Sequence, residues 1–107
     1  MLPVYLIWND QYFSKRDRVY GFEDDAQRFA VFGRAALAAL RMLDWQPDII
    51  HANDWHTGVV PTWLHTDGHT DSFYRDIATL FTIHNLAYQG ITGRLILTFA
   101  QMESVKH

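Results

Sequence analysis

The stretch Asp48-Ile49-Ile50-His51-Ala52-Asn53-Asp54-Trp55-His56-Thr57-Gly58 decides how this chain folds, because it is echoed by Ala78-Thr79-Leu80-Phe81-Thr82-Ile83-His84-Asn85-Leu86-Ala87-Tyr88-Gln89-Gly90. Each is a short, β-prone apolar run that closes on a polar cluster, the pattern of a buried strand feeding a loop. Helix-forming sequence lies between them, and strands that alternate with helices predict a parallel sheet. In an open parallel α/β sheet, ligands bind outside the carboxyl ends of the strands, so Asp54, His56, His84 and Asn85 are expected on one rim.

Working outward, Val4 to Trp8 is rich in β-branched and aromatic residues and closes on Asn9-Asp10, which predicts a first strand, making three in all. Residues 11–23, QYFSKRDRVYGFE, mix aromatics, charge and a glycine without a period and read as an ordered loop held by aromatic packing. Asp24 or Asp25 can cap a helix whose Phe29, Phe32, Ala36, Leu40 and Leu43 form one apolar stripe. Asp44-Trp45-Gln46-Pro47 ends it, since the residue before a proline disfavours helical geometry.

The second strand is expected over Asp48–Ala52. Thr57 is then the N-cap of a helix from Gly58 to about His65, with Pro61 near the first turn, where its missing N–H costs little. Residues 66–72 are turn material, 73–76 a short bridge, and Ala78–Ile83 the third strand. An amphipathic pattern from Gly93 to Lys106 places Leu95, Phe99 and Met102 on one side. Trp8, Trp45 and Trp63 are assigned to full or partial core, and Trp55 to packing beneath the site.

The 107 residues, 49 % of them hydrophobic, suffice for one small domain or part of a larger one. A net charge of −3 with scattered Lys and Arg leaves no footprint for nucleic acid or an anionic membrane surface. Cysteine is absent, which excludes disulfides and thiolate metal sites and fits a cytosolic protein. The N-terminus lacks a basic leader region, and its apolar run is far shorter than the roughly 20 residues of a membrane span.

Asp54 and His56, two apart just after a strand, pair a carboxylate with an imidazole, groups suited to hydrogen-bonding sugar hydroxyls. The alternative is local: capping by Asp54 and packing by His56. His84-Asn85 ends the strongest strand and has the same two readings. A metal set of His51, Asp54 and His56, which a metal-dependent hydrolase would use, conflicts with strand alternation at His51, and no helical ligand pair is present. No Gly-rich phosphate cradle of the P-loop or dinucleotide type occurs.

PDIIHANDWHTGVVPTWL, TLFTIHNLAYQG and the intervening order of aromatic loop and DDAQRFAVFGRAAL helix resemble the N-terminal catalytic domain of bacterial glycogen synthases and plant starch synthases. The resemblance runs from Val4 to about Gly90. It implies a partial Rossmann-like parallel sheet with flanking helices, from an enzyme of two facing Rossmann-like domains. The implied activity is retaining transfer of glucose from ADP-glucose or UDP-glucose to an α-1,4-glucan, with no cofactor and no metal. It implies catalytic roles for His84 and Asp54, and sugar contacts for His56, Asn85, Tyr88, Gln89 and Tyr20.

The family's Lys-Thr-Gly-Gly-Leu loop and donor-binding domain lie outside residues 1–107. The chain is therefore expected to be a fragment of the N-terminal catalytic domain, inactive alone because the groups that neutralise the leaving diphosphate are missing. Self-association through an open sheet edge is expected, as is a bacterial cytoplasmic or plant plastid location. The alternative function is a non-catalytic glucan-binding or interaction module derived from the same domain.

Overall fold

A computed structural model describes residues 1–93. A π-helical turn at Asp10–Ser14 is followed by helix α1 (Asp25–Met42), strand β1 (Ile49–Asn53), a 3-10 turn (Trp55–Thr57), helix α2 (Val59–His65), a second 3-10 turn (Asp67–Thr70) and strand β2 (Ala78–Thr82). The strands pair in parallel, with Ile49 opposite Ala78 and Asn53 opposite Thr82. This is an α/β unit with flanking helices, and both carboxyl strand ends meet at one rim. The amphipathic pattern expected over residues 93–106 lies outside the described residues beyond Gly93.

Helix α1 begins where expected, but Asp24 makes no capping bond; its carboxylate instead receives Arg16 Nη1 and Nη2 at 3.0 and 2.7 Å. The C-terminus closes before Pro47 acts. Asp44 adopts φ 51°, its N–H reaches the Arg41 carbonyl, and the Trp45 N–H reaches the Leu40 carbonyl. That doubled pattern is a Schellman termination with aspartate in the left-handed position usually taken by glycine.

The predicted stripe of α1 splits into two faces. Its buried residues are Arg28, Ala30, Gly33 and Leu37, and the small ones let α2 approach closely: a Cβ on Gly33 would lie 3.1 Å from Val60 Cγ2. Phe29 and Phe32 turn instead toward the aromatic segments, with Phe32 edge-on to Phe13 at 6.4 Å and Phe29 edge-on to Trp55 at 5.3 Å. Leu43 is exposed. The core combines Ala30 and Leu37 of α1, Val60, Trp63 and Leu64 of α2, and Tyr74 and Ile77 from the segment leading into β2. Tyr74 Oη donates to the Leu37 carbonyl at 2.9 Å, so the buried hydroxyl is satisfied.

Three further expectations are corrected. Val4–Trp8 forms no strand; no described segment offers it a ladder, and Val4, Tyr5, Leu6 and Trp8 are exposed. Trp45 is also exposed, leaving Trp63 as the core tryptophan. Thr57 does not cap α2: it ends the preceding 3-10 turn, its hydroxyl donates back to the Asn53 carbonyl at 2.8 Å, and Gly58 takes the cap position.

Candidate active-site rim

Backbone geometry builds the rim first. Asp54, directly after β1, adopts φ 61° and ψ 176°, a region almost confined to glycine. Two bonds hold it there: its N–H donates to the Thr82 carbonyl at 2.8 Å, and its Oδ1 accepts the His84 backbone N–H at 2.7 Å. The carboxylate is thus not a helix cap; it ties the end of one strand to the residue after the other. On the same face His84 Nε2 lies 3.0 Å from Asn53 Oδ1, and His51 Nε2 lies 2.8 Å from Thr82 Oγ1.

Beyond His84 the loop is shaped by its own side chains. Asn85 Oδ1 accepts the Ala87 N–H at 3.1 Å, an Asx turn, and Gln89 Nε2 donates to the Leu86 carbonyl at 2.8 Å. Tyr88 and Gln89 join Asp54, Trp55, Phe81 and Leu86 around a cleft of about 290 Å³. Gly90, at φ 62°, lies flat on Trp55: a Cβ there would fall 2.0 Å from the indole Cε3, so only glycine closes this loop.

His56 stands on the other side of Trp55. Its ring contacts Trp55 at 4.4 Å and the edge of Phe29 at 4.7 Å, and it borders a cleft of about 710 Å³ shared with Phe13, Arg28 and Phe32. Tyr20 reaches this side, its ring 6.3 Å from that of His56. A buried ion pair brackets Tyr20. Arg28, 2 % exposed, binds Asp25 Oδ1 at 2.7 Å and donates to the Tyr12 and Val19 carbonyls at 2.6 and 3.2 Å. Asp25 Oδ2 accepts the Gly21 N–H at 2.6 Å. Burial would push the Asp25 carboxyl up, but the bonds from Gly21 and Arg28 outweigh it and hold the group below the ordinary aspartate range.

The structure therefore gathers the sequence-derived residues into two neighbouring sets, Asp54 with His84, Asn85, Tyr88 and Gln89, and Tyr20 with His56, parted by the half-buried Trp55. Sequence reasoning missed Asn53, whose signal was its place one residue before Asp54 and two after His51, on the His84 face. It also missed the Arg28–Asp25 pair, whose signal was the three-residue spacing of acid and base in the first turn of α1. Among the described residues no three His, Cys, Asp or Glu side chains gather as a metal-binding group, and no helix is long and apolar enough to cross a membrane.

The family described as the starch synthase catalytic domain matches residues 1–107. The chain belongs to that family. Among curated starch synthase-family relatives, glycogen synthases of Desulforamulus reducens, Moorella thermoacetica and Clostridium beijerinckii are 56, 52 and 51 % identical over 93, 96 and 97 residues. The alignments cover 87, 90 and 90 % of this chain but 19, 20 and 20 % of those proteins, so it spans about a fifth of their length.

Proposed function

We propose that residues 1–107 are part of the N-terminal catalytic domain of a glucosyltransferase, and that their strand-end rim faces the sugar in retaining transfer from ADP-glucose or UDP-glucose to the non-reducing end of an α-1,4-glucan. Asp54 and His84 are assigned the catalytic positions, and Tyr20, His56, Asn85, Tyr88 and Gln89 the sugar contacts. The observation that carries this reading is the Asp54 carboxylate bonded to the His84 N–H across the parallel pair. That bond consumes one carboxylate oxygen and sets the aim of the His84 carbonyl and ring, two groups matched to hydroxyls and to positive charge developing at a sugar carbon.

The reading also assigns the nucleotide-glucose donor and glucan acceptor as partners of the full-length protein, supported by the glycogen synthase names of the bacterial relatives. The same reading assigns a bacterial cytoplasmic location, or a plastid if the chain is plant-derived. Alone, residues 1–107 bring Asp54 and His84 but no described cradle for the donor diphosphate, and are assigned no turnover. Self-association uses the outer edges of β1 and β2, where Ile49 and Leu80 are exposed.

Titration of the isotope-labelled chain with maltotetraose, followed by amide NMR, tests the site. Shifts confined to residue 20 and to residues 53–56 and 83–90, abolished in His84→Ala, are expected. Saturating sugar that moves none of these resonances refutes the assignment, and robust glucose transfer to glycogen by the 107-residue chain refutes the absence of turnover. Concentration-independent monomeric light scattering would exclude the edge pairing.

A further inference from the structure

The residue before Asp54 faces the His84 imidazole from the neighbouring strand. Asn53 and His84 project from one face of the parallel pair, because Asn53 opposes Thr82 and side chains two apart share a face. Their side chains meet at 3.0 Å between Asn53 Oδ1 and His84 Nε2. Asn53, the last residue of β1, and Asp54, directly after it, therefore hold His84 by different handles: Asp54 binds its main-chain N–H at 2.7 Å, and Asn53 binds its ring.

We infer that Asn53 is a positioning residue that fixes the tautomer and direction of the His84 imidazole. An amide oxygen accepts and cannot donate, so the ring nitrogen facing it carries the proton. That leaves Nδ1 of the neutral ring as its one acceptor, free to take a hydrogen bond from a sugar hydroxyl. The neighbouring contact of His51 Nε2 with Thr82 Oγ1 at 2.8 Å occupies the next rung of the same face. Asn53 touches no reacting atom; it acts through His84. The inference deepens the sugar-facing reading of the rim and rests on it for its functional meaning, but the ring geometry is measurable without any sugar.

The test is ring nitrogen-15 NMR on the 107-residue chain labelled at histidine, above the histidine titration range, with His84 assigned through the His84→Gln variant. The expected result is a proton-bearing Nε2 and a bare Nδ1 on His84, with an Nε2–H signal visible against solvent exchange. In Asn53→Ala that signal should vanish through exchange while amide spectra elsewhere stay in place, because Asn53 is exposed and its removal empties no core. Asn53→Asp, which keeps an acceptor oxygen at the same reach, should restore it. A wild-type ring protonated at Nδ1, or an Nε2–H signal unchanged in Asn53→Ala, overturns the inference even where maltotetraose still binds. Failure of maltotetraose to bind with the expected ring signals intact removes the sugar reading and leaves the positioning role standing.

Discussion

Replacing Arg28 by methionine tests whether the aromatic loop is held by a buried ion pair or by apolar packing. The substitution keeps an unbranched chain among Phe13, Phe22 and Phe29, whose ring centres lie 5.3, 4.8 and 5.3 Å from the guanidinium carbon. It removes the 2.7 Å bond to Asp25 and both bonds to loop carbonyls. The side chains of Arg28 and Asp25 are 2 and 15 % exposed, so solvent screens this pair little. Breaking a buried pair from one side costs about 3–5 kcal/mol, chiefly through the charge left behind. Methionine's retained packing places the expected loss near the lower end, about 3 kcal/mol. Arg28→Lys, which keeps the charge but not the fork, should lose less. Urea unfolding at neutral pH, followed by tryptophan fluorescence and circular dichroism, gives the number. A loss below about 1 kcal/mol would show that the rings, not the charge, carry the loop, and the bracketing of Tyr20 through Val19 and Gly21 would lose its basis.

Asp54→Gly and Asp54→Ala both delete the tie to His84, but alanine must also hold φ 61°, so the alanine variant should be less stable by about 1–3 kcal/mol; equal urea midpoints would refute the backbone assignment. Gly68→Ala places a methyl carbon 2.6 Å from Trp63 Cζ3 and 3.1 Å from the Trp63 carbonyl, and overpacking of this kind should cost about 1–3 kcal/mol, with altered Trp63 emission; an unchanged midpoint would mean the turn gives way freely. Acid should weaken the fold. Hydrogen bonds from Arg16 to Asp24, the bonds to Asp25 that outweigh its burial, and the Phe73 N–H and Arg41 at Asp71 all hold these carboxyls below their ordinary range. Their stabilisation is complete above the unfolded aspartate value of about 4 and is lost as pH falls through the lowered values, so urea midpoints measured from pH 5 to pH 2 should decline below about pH 4. A flat profile there would contradict the pairing.

Both strands and both helices were legible because their signals are local: apolar runs bounded by turns, and periodic helix formers between them. The meeting of Asp54 with His84 was legible for the same reason, since each lies at the end of a strand, whereas His56, expected on the same rim, stands across Trp55. Most of what escaped depends on partners distant in the chain. Val4–Trp8 has strand composition, yet composition supplies no ladder. The stripe of α1 drawn from spacing held at Leu40, which packs against the core, but close helix approach favours Ala30 and Gly33 and sends Phe29 and Phe32 elsewhere. Thr57 looked like a cap because threonine before a helix usually is one, but the 3-10 turn offered its hydroxyl the Asn53 carbonyl instead. Asn53 itself could be noticed only once the register set it beside His84.

That register has a consequence for assembly. The contacts of His84 with Asn53 and Asp54 exist in one alignment of β1 on β2; a slip of one residue sends Asn53 and His84 to opposite faces of the ladder. A ligand that needs both therefore binds the correctly aligned sheet and not its slipped forms, and contributes about 2.7 kcal/mol to it at a hundredfold excess over its dissociation constant. On the proposed sugar-facing reading, such a ligand would act as a template for strand alignment, proofreading the ladder whose ends it contacts.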